Sequence, residues 1–142
     1  MAYTDADWAG CIDDWQSTSG ATFYLGECSV SWLSKKQSSV SLSTAEAEYI
    51  TAATCCTQVL WMKQTLIDIQ VEYPIYCDNT SAISITKNPT MHSKMKHIPI
   101  KYHFLWEHVV EKNIRVEYVG TKEQVADIFT KPLPREAFEY LR

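Results

Sequence analysis

The amino-acid sequence predicts an α/β fold, in which a mixed sheet of five strands is flanked by helices. Three short strand patterns come first, and the two later strand patterns alternate with helical ones. An antiparallel start followed by strand–helix units is typical of a mixed sheet with helices packed on its faces. The length of 142 residues and the hydrophobic fraction of 46% suit one domain with one core, so we predict a single domain over residues 1–142.

The first half of the chain contains three predicted strands and a long helix. The strands are predicted at 2–6, 21–25 and 30–33, the last two being joined by a turn at 26–27 as a hairpin. Ser43 or Thr44 suits a helix N-cap, and Glu46 stands three residues after Ser43, which is the spacing of a capping box. Apolar residues at helical spacing then predict a helix over 44–67.

The second half alternates strands and helices. A fourth strand is predicted at 74–77 and a fifth at 114–119. Helices are predicted at 80–86, 98–112 and 122–130, and a short helical tail follows Pro134. Residues 90–97 are basic and irregular. No internal repeat or interdomain linker interrupts this order.

Charge and cysteine content exclude several classes of protein. A net charge of −4 argues against a strong autonomous grip on nucleic acid, although a cluster of acidic metal ligands would itself lower the charge. No apolar run reaches the roughly 18 residues of a membrane span, so we expect no membrane partner. Five cysteines without a CxxC pair predict reduced thiols, rather than disulfides or a structural zinc site.

Four carboxylates fall at positions that the predicted fold can bring together. Asp5 lies in the first strand, Asp78 ends the fourth, Glu48 is one turn into the long helix, and Asp127 lies in the helix predicted at 122–130. Strand ends and helix starts meet at one edge of an open α/β sheet. Carboxylates crowd together only where cations offset their repulsion, and hard oxygen ligands suit Mg²⁺ or Mn²⁺. Two such ions are a known device for phosphodiester cleavage.

Short motifs along the whole chain carry a resemblance to a known family. They lie at 3–10, 13–14, 17–20, 31–32, 35–37, 42–49, 78–79, 96–98, 102–104 and 126–131. In this order and spacing they resemble the ribonuclease H domain, of the type 1 fold, in the Pol polyproteins of copia-type LTR retrotransposons. The resemblance implies the ribonuclease H-like fold and a position in the C-terminal part of a longer reverse transcriptase polyprotein.

The resemblance also implies an activity and its residues. It implies an endonuclease that hydrolyses the RNA strand of RNA–DNA hybrids with two Mg²⁺ or Mn²⁺ ions, bound by Asp5, Glu48, Asp78 and Asp127. No small-molecule cofactor is expected. The expected partners are the RNA–DNA hybrid and the reverse transcriptase domain of the same polyprotein. The expected cellular location is a cytoplasmic virus-like particle.

Two of these carboxylates have acidic neighbours that could compete for the role. Asp5 is favoured over Asp7 because it falls within the strand. Glu48 is favoured over Glu46 because residues two apart on a helix point to nearly opposite sides. Glu46 is better explained as the acid of the capping box.

Contacts with nucleic acid are predicted at a further set of residues: Lys35, Lys36, Asn79, Lys94, Lys96 and Lys101. The alternative is that the lysines belong to a solvated surface.

The four histidines lack the spacing that puts a metal-binding pair on one helical face. Many members of the family carry a histidine in the loop before the last acid, whereas the corresponding residues 119–122 here contain none.

The predicted fold also occurs in proteins with two other functions. One is a catalytically inactive domain that packs beside a polymerase or helps to hold the hybrid. The other is a transposase or integrase, which shares the core fold but has its glutamate after both aspartates. Glu48 falls between Asp5 and Asp78, which argues against the second alternative.

Overall fold

The fold is built from five strands and four α-helices within residues 1–66, 72–88 and 98–142, which the computed structural model describes. The strands are β1 (Ala2–Asp7), β2 (Thr18–Leu25), β3 (Cys28–Lys36), β4 (Tyr73–Cys77) and β5 (Ile114–Tyr118). The helices are α1 (Thr44–Thr65), α2 (Thr80–Lys87), α3 (Phe104–Val110) and α4 (Arg135–Leu141). Short 3-10 helices span Ile100–Tyr102, Thr121–Glu123 and Val125–Phe129.

The strands form one mixed sheet in the order β3-β2-β1-β4-β5. β2 is antiparallel to both β1 and β3, whereas β4 runs parallel to both β1 and β5. This arrangement confirms the predicted five-stranded mixed sheet. Because β1 and β4 are parallel neighbours, their carboxyl ends lie at the same edge of the sheet.

Helix α1 begins at a well-defined cap and packs on the sheet. The Ser43 side chain accepts a hydrogen bond from the Glu46 N–H, and the Glu46 carboxylate accepts one from the Leu42 N–H at 2.7 Å. These bonds confirm the N-cap and the capping role of Glu46. The Ser19 and Thr51 hydroxyls, 2.7 Å apart, join β2 to α1. The core contains, among others, Phe23, Tyr49, Ala53, Val59, Ile75 and Val116.

The 3-10 helix Val125–Phe129 packs against β1 and β2 at a glycine. Gly20 of β2 pairs with Asp5 of β1. A Cβ atom on Gly20 would lie 2.5 Å from the Thr130 Cγ2 atom and 3.0 Å from the Ala126 carbonyl oxygen. Because Gly20 has no side chain, the segment that carries Asp127 can approach the strand that carries Asp5.

The predicted helix over 122–130 is wrong. The structure has two 3-10 helices, Thr121–Glu123 and Val125–Phe129, which meet at Gln124 with an extended backbone (ψ 93°). The Gln124 side chain is fully buried and donates its Nε2–H to the Thr4 carbonyl at 2.8 Å. This tertiary bond fixes Gln124 against β1 and interrupts a continuous α-helix.

The predicted helix over 98–112 is shorter than expected. Residues Ile100–Tyr102 form a 3-10 turn, and α3 covers only Phe104–Val110. The helix ends because the chain turns at Lys112, whose φ of 58° lies in the left-handed region and directs the backbone into β5.

The predicted hairpin is present but longer than its apolar pattern indicated. The pairing of β2 with β3 continues to Thr18 and Lys36. Polar residues that lie outside the predicted strands are therefore part of the sheet. Gly26, with φ of 59°, forms the predicted turn. The basic segment 90–97 lies outside the described residues, and so does residue 67, the predicted last residue of the long helix.

All five cysteines are free thiols, as expected, and Cys55, Cys56 and Cys77 are buried. In the described ranges, no helix has the length and apolarity to span a membrane.

We expect Gly20→Ala to lower the free energy of unfolding by about 1–3 kcal/mol, because the added methyl group must displace Thr130 or the backbone at Ala126. The measurement is urea unfolding followed by circular dichroism. Gly120→Ala is the matched control, since no atom outside Gly120 and its two chain neighbours lies within 4 Å of the Cβ position there. Equal stability of the two variants would contradict a close approach at Gly20.

Candidate active site

The four acids selected from the sequence converge at one edge of the sheet. Carboxylate oxygens of Asp5, Asp78 and Asp127 all lie within 4.8 Å of one another. A second group, within the same limit, joins Glu48, Asp78 and the Cys77 Sγ atom. Asp78 belongs to both groups, so side chains from β1, α1, the end of β4 and the 3-10 helix Val125–Phe129 surround one point.

Three of these carboxylates are almost completely buried. Asp5, Glu48 and Asp127 are only 2%, 4% and 5% exposed. Glu48 Oε1 accepts a hydrogen bond from the Ala6 N–H at 3.0 Å, which ties α1 to β1. The Thr130 hydroxyl donates a short hydrogen bond to Asp5 Oδ2. Backbone and hydroxyl donors therefore hold the oxygens in place.

Burial and mutual repulsion make these carboxylates hard to ionise. Burial, reinforced by Asp5 and then Asp78, raises the pKa of Glu48 to about 9, although the Ala6 amide opposes this. Burial and Asp5 raise the pKa of Asp127 to about 6, against the opposing effect of Lys131. Without a bound cation, the fold therefore favours a protonated Glu48 at neutral pH.

Lys131 places a positive charge directly beside the acids. Its Nζ atom lies 3.1 Å from Asp127 Oδ1 and 3.7 Å from Asp5 Oδ2. Although burial lowers the pKa of Lys131, Asp5 and Asp127 outweigh it and raise that pKa above its usual value. The ammonium group is therefore charged and forms ion pairs with two of the four acids.

Thr130 and Lys131 lie within the motif at 126–131, which by itself predicts no role for either residue. A signal for Lys131 was available, because it stands four residues after Asp127, the spacing of a helical ion pair. No local signal indicates that Thr130 contacts Asp5, which lies 125 residues away in the chain.

The donor set fits a hard divalent cation. Carboxylate oxygens from four elements are the ligands that Mg²⁺ and Mn²⁺ prefer. Cys77 is a poor ligand in comparison, because burial raises its thiol pKa well above the usual value and keeps it protonated. In the described part of the chain, neither group of potential ligands includes a histidine, so the site does not have the make-up of a typical zinc centre.

The competing acids lie outside these groups. Glu46 caps α1, as described above. Neither Glu46 nor Asp7 belongs to a ligand group among the described residues. Of each pair, only Asp5 and Glu48 belong to such a group among the described residues, and their role as metal ligands stays a prediction.

The residues predicted to contact nucleic acid have different surroundings. Lys35 and Lys101 line an open cleft of about 450 Å³ between β3, α1 and the 3-10 helix Ile100–Tyr102. Lys36 also lines this cleft and forms an ion pair with Asp14. The Asn79 side chain accepts a hydrogen bond from the Ala82 N–H and caps α2. Lys94 and Lys96 lie outside the described residues.

Retrotransposon polyproteins contain a segment similar to this chain. This chain is 46% identical, over 97% of its own length, to the retrovirus-related Pol polyprotein from transposon RE2 of Arabidopsis thaliana. It is 43% identical, over 96% of its length, to the corresponding polyprotein from transposon TNT 1-94 of Nicotiana tabacum. The chain spans about 10% of the length of each polyprotein. No family model matches the chain.

Solved ribonuclease H structures share the fold. LC11-RNase H1, solved in complex with an RNA/DNA hybrid, superimposes with a TM-score of 0.62. The sequences are 16% identical, and the alignment covers 91% of each chain. The family predicted from the sequence motifs is therefore confirmed: the chain belongs to the ribonuclease H-fold domains of copia-type retrotransposon Pol polyproteins.

Proposed function

We propose that this domain hydrolyses the RNA strand of RNA–DNA hybrids with two Mg²⁺ or Mn²⁺ ions, held by Asp5, Glu48, Asp78 and Asp127. The observation that carries the proposal is the convergence of these four carboxylates, three of them buried, around Asp78. The ribonuclease H fold and the similarity to Pol polyproteins support hybrid as the substrate class.

The chain's own residues orient the oxygens that such chemistry needs. Two bound ions would activate a water molecule and stabilise the leaving oxygen, so no side chain has to act as the nucleophile. Asp78 is common to both ligand groups and can serve two neighbouring ions. The Ala6 amide and the Thr130 hydroxyl fix the orientation of Glu48 and Asp5.

The polyprotein relatives support a proposal for the biological setting. We propose that the domain is a C-terminal part of a longer polyprotein, that it works beside that polyprotein's reverse transcriptase domain, and that it removes the RNA template within a cytoplasmic virus-like particle. The small share of each relative that the chain spans supports a longer parent protein.

The cleft between β3 and α1 is the proposed contact for a strand of the hybrid. Lys35 and Lys101 line it, together with Thr54 and Thr57 of α1. Ammonium groups and hydroxyls are typical phosphate contacts. Residues of α1 from Ile50 onwards line the cleft, and the same helix carries Glu48 two positions earlier.

The second candidate function is a catalytically inactive domain that packs beside the polymerase or holds the hybrid. One observation favours it, namely that residues 119–122 contain no histidine. Such a domain would fold and bind hybrid, but it would show no cleavage that depends on a divalent ion.

We expect Asp78→Asn to lower the rate of hybrid cleavage by at least about 100-fold, because it removes charge from the carboxylate common to both ligand groups. The measurement is cleavage of a hybrid labelled on the RNA strand, with Mg²⁺, with Mn²⁺ and with a chelator. Glu27→Gln is the control, since Glu27 is exposed at the distant β2–β3 turn. A wild-type domain that binds hybrid but never cleaves it would favour the inactive candidate.

We expect the metal-free domain to lose stability as the pH rises. The pKa of Glu48 is about 9 in the fold and 4.5 in its absence, so the folded state holds the proton more tightly between these values. Within this window, the free energy of unfolding should fall with a slope of up to about 1.4 kcal/mol per pH unit. Urea unfolding in a chelator at pH 6, 7 and 8 measures the slope.

Glu48→Gln should flatten this dependence, since the amide cannot ionise. Glu46→Gln is the matched control, because Glu46 caps the same helix outside the carboxylate groups. Its amide oxygen can still accept the Leu42 N–H bond, so Glu46→Gln should change stability little and leave the slope unchanged. An unchanged slope in Glu48→Gln would contradict the electrostatic account of the site.

We expect the double variant Lys35→Gln, Lys101→Gln to bind hybrid several-fold more weakly. Each phosphate contact that is lost should reduce the slope of log K against log salt by about 0.9. Fluorescence anisotropy at several salt concentrations measures both effects. Lys112→Gln is the control, since Lys112 precedes β5 at the end of the sheet remote from Asp78. An unchanged salt slope in the double variant would exclude the cleft as the binding path.

A further inference from the structure

Lys131 occupies a position that the proposed metal chemistry does not explain. Its ammonium group contacts Asp127 at 3.1 Å and Asp5 at 3.7 Å, and both carboxylates belong to the ligand group that also contains Asp78. The positive charge therefore lies against the same oxygens that a divalent ion would need. The ammonium group would repel a divalent ion bound to the same carboxylates, so the two compete for them.

The lysine reaches the carboxylates from the solvent side. The side chain of Lys131 is 36% exposed, whereas those of Asp5 and Asp127 are 4% and 7% exposed. We therefore expect a metal ion to approach these carboxylates from the side on which Lys131 lies. Because Lys131 is not a member of the hydrophobic core, its partly exposed side chain can move without disturbing that core.

Its anchor point is fixed at the site. The preceding residue, Thr130, is held by its short hydrogen bond to Asp5, and the Lys131 backbone N–H donates to the Asp127 carbonyl at 3.3 Å. The backbone of Lys131 is thereby bound to the two residues that its side chain neutralises. Moving the ammonium group requires only side-chain rotation.

We propose that Lys131 is a built-in counter-ion of the carboxylate site: it neutralises Asp5 and Asp127 before metal binds, and it competes with the divalent ion for them. This inference rests on the proposed metal site. Lys131 is thus a positioning residue, whose charge stabilises the metal-free fold and weakens the first binding of metal.

The proposal predicts two effects of opposite sign in Lys131→Met. Without metal, the variant should unfold at a lower temperature than the wild type, because the acids lose their counter-ion. Mn²⁺ alone should bind to it about tenfold more tightly at pH 8, because no ammonium group has to be displaced. Differential scanning fluorimetry in a chelator and calorimetric titration with Mn²⁺ measure the two effects.

Three further variants sharpen the test. Lys131→Gln also removes the charge but retains a hydrogen-bond donor, and it replaces Lys131→Met if that variant does not fold without metal. Lys131→Arg keeps the charge and should bind Mn²⁺ within a few-fold of the wild type. Lys122→Met changes the net charge equally at an exposed position in the 3-10 helix Thr121–Glu123, and it should alter Mn²⁺ affinity much less.

The outcomes separate this inference from the proposed function. Tighter Mn²⁺ binding combined with lower metal-free stability in the neutral Lys131 variants supports a competing counter-ion. Unchanged or weaker Mn²⁺ binding, while the wild type binds Mn²⁺, overturns the counter-ion and leaves the metal site intact. An equal gain in affinity in Lys122→Met also overturns it, since it would reflect net charge alone. If no variant binds Mn²⁺, both proposals fail.

Discussion

The repulsion among four carboxylates around one point is the constraint on which the rest of the structure depends. Three of them are buried, so water cannot screen their charges. Each is held by an element fixed elsewhere: β1 by its central place in the sheet, α1 by the core, and the 3-10 helix Val125–Phe129 by its contact at Gly20. The apolar core therefore stabilises an arrangement that the acids by themselves oppose.

Much of this arrangement could be predicted from the sequence, because its determinants are local or periodic. Alternating apolar residues and a capped helix identified the sheet and α1, and helical spacing separated Glu48 from Glu46. Glu48 and Glu46 lie two residues apart, and only Glu48 reaches the carboxylate cluster, while Glu46 turns back to the Leu42 N–H. The predicted order of strands and helices matches the observed fold. The four acids at motif positions are the residues whose carboxylates converge.

What could not be predicted depends on contacts between distant parts of the chain. Gln124 interrupts the predicted last helix because its side chain bonds to Thr4 in β1, 120 residues away. The role of Gly20 is likewise invisible in its own strand, since only the later packing of Thr130 and Ala126 requires a missing Cβ. The neutralisation of Asp5 by Lys131 is of the same kind. In each case tertiary packing overrides or adds to the local pattern.

Charge balance links the metal-free fold to the proposed activity. When Glu48 is protonated, the site still contains the carboxylates of three aspartates. The single positive charge of Lys131 offsets only part of their negative charge. Two divalent ions would carry enough charge to balance all four ionised carboxylates, which removes the need for the ammonium group at Asp5 and Asp127. The Lys131 side chain, which is 36% exposed, would then be released towards solvent. The same lysine can therefore stabilise the domain before metal binds and leave the carboxylates once metal is bound.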